Sequence, residues 1–108
     1  MIARPPGPAA DEPAAGPEVD ATLADTIAAL AIGVPGVSRL HGGLFGEVAT
    51  YLPGRRVAGV TVHDEDVEVH VVLDASAPIR ATAERVHAAL ATAVDLPVRV
   101  VVEDIDPS

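Results

Sequence analysis

At 108 residues the chain is long enough for one domain with its own core and too short for two. One Tyr, one Phe and no Trp leave that core to Val, Leu, Ile and Ala, and the lack of cysteine excludes disulfides, thiolate metal sites and thiol catalysis. A net charge of −9, with seven Arg and no Lys, repels a phosphate backbone and argues against nucleic acid as a partner unless the Arg residues cluster.

No apolar run reaches the length of a signal peptide or a membrane span. The lack of cysteine fits a cytoplasmic protein, and a membrane would be reached through another molecule. Residues 1–18 hold half of the ten prolines, with Ala and Gly between them. Such a piece buries too little to offset its ordering entropy, so it reads as a disordered Pro/Ala-rich tail ahead of a domain over 19–106. It has no clear P-x-x-P motif with flanking specificity residues.

Asp20 can cap a helix running to about Ile32. Leu23, Ile27, Leu30 and Val34 recur at helical spacing, with Ala24, Ala28 and Ala31 beside them. Gly33 and Pro35-Gly36 stop it. From Val37 to Leu52 the pattern predicts a strand or strand pair that starts at Gly42-Gly43. Leu44, Val48 and Leu52 would take one side, and Phe45, Glu47, Ala49 and Tyr51 the other. Pro53-Gly54 makes a turn.

Next comes a valine hairpin. A two-residue loop at Asp64-Glu65 sets Val62 opposite Val67 and Val60 opposite Val69, on one face with Val71 and Leu73. Thr61, His63, Asp66, Glu68 and His70 take the other face. A second helix opens at Ala77-Pro78, with Ser76 as a cap and a buried stripe of Ile79, Ala83, Val86, Leu90 and Ala93/Val94. Leu96-Pro97 ends it. Val98, Val100 and Val102 alternate with Arg99, Val101 and Glu103 in a return strand. The prediction is an α/β (α+β) two-layer sandwich: a mixed sheet of three or four strands with two helices on one face.

The residues show no catalytic constellation, no G-x-S-x-G elbow and no phosphate loop. His63-Asp64-Glu65-Asp66 could hold a hard cation, but a hairpin tip calls for the same residues. His63 and His70 lie four positions apart along one face, roughly 13 Å at the usual rise, too far for one ion. Hence no metal, cofactor or catalytic residue is assigned. Arg55-Arg56, with Arg39, could contact an anionic group. Phe45 and Tyr51, on the same side of their strand, join Arg55 and Arg56 as the candidate interaction surface. The competing reading is a small ligand- or metal-binding domain or enzyme using His41, His63, Glu47 and Asp66. A KH-like nucleic-acid module is disfavoured by charge and by the lack of a G-x-x-G loop.

The segments V-P-G-V-S-R-L-H-G, G-R-R-V-A-G-V-T-V-H-D-E-D-V-E-V-H-V-V-L-D, A-P-I-R-A-T-A-E-R-V-H-A-A-L and V-R-V-V-V-E-D-I resemble the alkaline shock protein family of envelope stress response proteins. The Arg-only cations and the Ala/Val/Pro bias are similar to short actinobacterial members. The resemblance covers roughly Leu23 to Ile105. It implies a non-enzymatic cytoplasmic α/β protein in cell-envelope homeostasis that acts through self-association as a homo-oligomer. It also implies protein partners, among them a small membrane-anchor protein. The chain departs from the pattern where a Pro-rich piece stands in place of the family's first strand, leaving a sheet edge for a second copy to cover. It departs again at Asp74-Ala75 and Val94-Asp95-Leu96-Pro97.

Overall fold

A computed structural model describes residues 15–107. The predicted tail falls largely on residues 1–14, outside the described residues. Helix α1 (Ala15–Ile32) begins at Ala15 rather than at Asp20, because Pro17 falls in its first turn, where a missing N–H leaves no helical bond unmade. The chain continues as β1 (Val37–Leu40), β2 (Ala49–Leu52), β3 (Arg55–Ala58), β4 (Val60–Val62), β5 (Val67–Asp74), α2 (Ile79–Ala91) and β6 (Val98–Asp106). This is the two-layer α+β architecture that the periodicity predicts.

The eight-residue strand β5 is the axis of the larger sheet. Along one edge it pairs in parallel with β6, from Val67 beside Val98 to Asp74 beside Asp106. Its other edge is divided between two antiparallel neighbours. β4 takes the first part, with Val60 opposite Val69 and Val62 opposite Val67, as the two-residue loop requires. β1 takes the second, with Leu40 opposite Val71 and Val37 opposite Leu73. The handover falls at His70, whose N–H donates to the Gly59 carbonyl at 2.8 Å and whose carbonyl accepts from His41 N–H at 3.0 Å. The sheet thus has four strands in all, mixed in direction.

Gly59 makes this junction possible. Its φ is +87°, and a Cβ there would lie 2.7 Å from Leu40 Cβ and 3.2 Å from the His70 carbonyl oxygen. No side chain fits in that space, and L-residues avoid that backbone region.

Residues 37–52 do not form one extended piece. β1 and β2 are separated by a loop over 41–48, so the predicted alternation from Leu44 onward fails. β2 instead pairs with β3 around Pro53-Gly54 as a separate two-stranded sheet. This hairpin is fastened to β4 by the Gly59 N–H, which donates to the Val48 carbonyl at 2.7 Å, and by the Thr50 hydroxyl, which donates to the Val60 carbonyl at 2.7 Å.

Both helices lie on the valine face. Ala24, Ile27 and Ala31 of α1, Val86 and Leu90 of α2, and Val60, Val67, Val69, Val71 and Leu73 of the sheet are fully buried. In α1 the two alanines go to the core and Leu23 and Leu30 flank it, because small side chains let the helix approach the sheet closely. In α2 the predicted stripe is rotated. Thr82, Val86 and Leu90 are buried, whereas Ile79 is 55% exposed. Gly36 sets that rotation: a Cβ there would meet Ala77 Cβ at 2.9 Å and Thr82 Cγ2 at 3.1 Å, so the helix start sits directly on the glycine. Ser76 does not cap α2, since its hydroxyl donates to Asp74 Oδ1 at 3.1 Å and Pro78 holds the cap position without a side-chain bond.

Two substitutions test this packing. Gly59→Ala should lower stability by about 2 kcal/mol or more, the left-handed strain alone being worth about 1–2 kcal/mol. Urea unfolding will read it as a lower midpoint at unchanged slope. Thr82 Oγ1 is buried without a hydrogen-bond partner. Thr82→Val should therefore raise stability by about 1 kcal/mol, since an orphaned polar atom is removed at nearly constant shape.

Candidate functional site

The loop over 41–48 is shaped by hydrogen bonds to its main chain, from backbone and side-chain acceptors alike. Gly43 and Gly46 adopt φ of +87° and +75°. His41 Nδ1 accepts the Gly43 N–H at 2.9 Å, the Val48 N–H donates to the Gly42 carbonyl at 2.8 Å, and Glu47 Oε1 accepts the Phe45 N–H at 2.9 Å. The two left-handed glycines interrupt the strand period and turn two consecutive apolar residues to solvent. Leu44 is 86% exposed and Phe45 91%.

The β2–β3 hairpin adds to the same surface. Tyr51 is exposed, its hydroxyl donates to the Gly46 carbonyl at 3.0 Å, and it stands opposite Arg56 across the hairpin. The Arg56 guanidinium approaches Gly46 so closely that a Cβ there would lie 3.0 Å from its Nη1. Of the four residues predicted for an interaction surface, Phe45, Tyr51 and Arg56 are therefore gathered at one place. Leu44 belongs with them, although the strand pattern had put it on the other side beside Val48.

Arg55 does not serve this surface. It forms a two-pronged pair with Asp25 of α1, at 3.2 and 2.9 Å, which lowers the Asp25 pKa and raises that of Arg55. Arg39 is also engaged elsewhere. Its guanidinium donates to both oxygens of Asp106 at 3.1 Å, and the Ser38 hydroxyl donates to the same carboxylate at 2.6 Å. The basic spot that sequence proximity suggests is dispersed, leaving Arg56.

The helix-free face of the sheet holds a second constellation. His70 is only 8% exposed. Its Nδ1 meets Glu103 of β6 at 2.5 Å and its Nε2 meets Glu68 at 2.7 Å. The other oxygen of Glu68 lies 3.4 Å from His63 Nε2, and Asp66 lies 3.9 Å from the same nitrogen. The two histidines, far apart along the backbone, thus meet at one shared carboxylate. Side-chain reach supplies what residue spacing left out. Glu47 carries a lowered pKa, because its own N–H and that of Phe45 bond its carboxylate, with His70 and His41 adding attraction.

The four residues of the ligand-binding alternative fall into two groups, His63 with Asp66 on the hairpin and His41 with Glu47 on the loop. Among the described residues, no group of three or more His, Asp and Glu side chains is placed to hold a metal ion. An open depression lies beside the hairpin tip, lined by His63, Asp64, Glu65, Asp66, Glu68 and Arg99. No helix of the described residues is long and apolar enough to cross a membrane.

Fold and surface together define a two-layer α+β domain that presents an apolar loop tip. Comparison with family models, with curated proteins and with solved structures finds no match.

Burial disfavours a charged His70, but the carboxylates of Glu68 and Glu103 outweigh it and raise its pKa above the ordinary imidazole value of 6.5. The hydrogen bond from His70 leads the causes that hold Glu68 below its ordinary 4.5. A raised histidine pKa stabilises the fold below the unfolded-state value, and that stability is lost as pH rises through the folded value. A lowered carboxylate pKa stabilises above the unfolded-state value, and that is lost as pH falls. Both contributions are present between about pH 5 and 6.5. Thermal unfolding followed across pH should show a maximum there and a decline toward pH 8. His70→Gln should flatten the decline and lower stability by about 1–3 kcal/mol at pH 6, as expected for losing charge-assisted bonds.

Proposed function

We propose that this chain is a non-enzymatic interaction protein of the alkaline shock type. It acts in the cytoplasm, in cell-envelope homeostasis, through self-association and through protein partners that include a small membrane-anchor protein. The observation that carries the interaction role is the pair of exposed apolar side chains at Leu44 and Phe45, held beside Tyr51 and Arg56. Single exposed apolar residues are ordinary, but adjacent Leu and Phe projected by a braced loop form an apolar patch, and the Tyr and Arg next to them are residue types enriched in binding hot spots. The two-layer architecture, with a valine-rich central strand, supports the same reading, since that is the fold the resemblance implies.

Phe45 has little to do with folding, so its removal separates binding from stability. Leu44→Ser/Phe45→Ser should leave unfolding within about 0.5 kcal/mol of the parent. It should weaken partner binding by about 2 kcal/mol or more, roughly thirtyfold. The check is capture of membrane-fraction proteins on immobilised full-length chain, with the parent and the double variant run in parallel and followed by titration of the captured partner. Equal retention by the two would remove this surface from the proposal.

A further inference from the structure

In a parallel pair, each residue directs its N–H and its carbonyl to the same neighbour, and the next residue directs both away. The Val67 N–H donates to the Pro97 carbonyl at 2.9 Å. Residues 97, 99 and 101 therefore face β5, and Val98, Val100 and Val102 turn both backbone groups to the outer side of β6. Among the described residues no strand pairs with that side. The register of β6 on β5 shifts after Val102, so the regular edge ends there. Beyond the shift Asp104 Oδ1 accepts the Ile105 N–H at 2.8 Å, which closes the edge to a neighbour. The open part is Val98–Val102.

The side chains along this edge are complementary to themselves. Val98, Val100 and Val102 pack against the core on the helix face. Arg99 stands beside Glu68 on the opposite face, in the row that continues to Val101 and Glu103. Arg99 is exposed and forms no ion pair among the described residues, while Glu103 engages His70 through one oxygen only. A second copy laid antiparallel about a two-fold axis through Val101 brings Val100 opposite Val102 of the partner subunit. Both of those residues point their backbone groups at each other, so each such pair exchanges two N–H···O bonds. The same register sets Arg99 against Glu103 of the partner subunit, and the two-fold repeats that contact.

We propose that β6 is a self-association edge, through which two copies of this chain pair antiparallel over Arg99–Glu103, with main-chain bonds exchanged between Val100 and Val102, and join their sheets into one. The occupant is a second copy because the charges on the strand match only when it is reversed upon itself. The proposal rests on the self-association part of the reading above and is independent of the Leu44–Phe45 surface. It assigns the two activities to different parts of the molecule, so a dimer would display two apolar loop tips.

The test is light scattering with sedimentation velocity on the full chain over a concentration series. The parent chain should dimerise. Val100→Pro removes an outward N–H at an edge position that tolerates proline, and should raise the dimer dissociation constant at least tenfold. Arg99→Glu should do the same by placing like charges opposite each other. Arg99→Glu/Glu103→Arg should restore dimerisation toward the parent value, an outcome that general destabilisation cannot produce. Unfolding curves for each variant verify that the monomer is folded. A parent chain that stays monomeric throughout would overturn the proposal, as would a dimer that survives both Val100→Pro and Arg99→Glu. Neither result touches the loop-tip reading, which stands or falls on the Leu44→Ser/Phe45→Ser capture.

Discussion

The structure depends on how one edge of β5 is shared. Two strands from different parts of the chain must abut end to end along it, and the joint is a single residue, His70, bonded to Gly59 on one side and His41 on the other. That joint leaves no room for a side chain on Gly59. It also fixes everything downstream of it. β4 is held to three residues, β1 ends where β4 begins, and the loop between β1 and β2 must swing outward because the edge is already occupied. A sheet of this size with a continuous fourth strand would have kept that loop in register and hidden its apolar residues.

The charges follow the same economy. The chain has few cations, and two of them tie together elements distant in sequence. Arg39 at the end of β1 reaches across to Asp106 at the end of β6, and Arg55 of the small hairpin reaches Asp25 of α1. Both pairs are exposed and so add little to stability. Their effect is positional: one fastens the far end of the sheet and the other holds the hairpin to the first helix. On the helix-free face His70 bonds both Glu68 and Glu103, which lets carboxylates accumulate on a surface that also contains the fully buried Val72.

The layered fold, the hairpin register and the return strand were legible in the sequence, because each rests on a clear period, whereas the parallel direction of that strand was not. Val60, Val62, Val67 and Val69 pair as alternation requires, since any slip would turn charged residues into the core. The buried faces of the helices were less legible. Apolar size favours Leu23, Leu30 and Ile79, yet the core takes Ala24, Ala31 and Thr82, because close approach over Gly36 decides the rotation and no local pattern records that contact. The grouping of the candidate surface residues was half legible. Phe45, Tyr51 and Arg56 stood out by type, but Leu44 was assigned to the wrong side because the positive φ of Gly43 and Gly46 breaks the alternation. The meeting of His63 and His70 at Glu68 was hidden for another reason. Backbone spacing places the two apart, and only side-chain direction brings them together.

The loop that carries Leu44 and Phe45 takes its shape from its neighbours. Gly43 and Gly46 set its path by their left-handed backbone and the His41 and Glu47 side chains by accepting main-chain N–H groups, while the two apolar side chains stay exposed. The displayed residues can therefore be exchanged without refolding the platform beneath them. If the proposed interaction role holds at this loop, recognition is uncoupled from architecture, and descendants of this chain can change what they bind by drift at two positions while every constraint of the sheet stays in force.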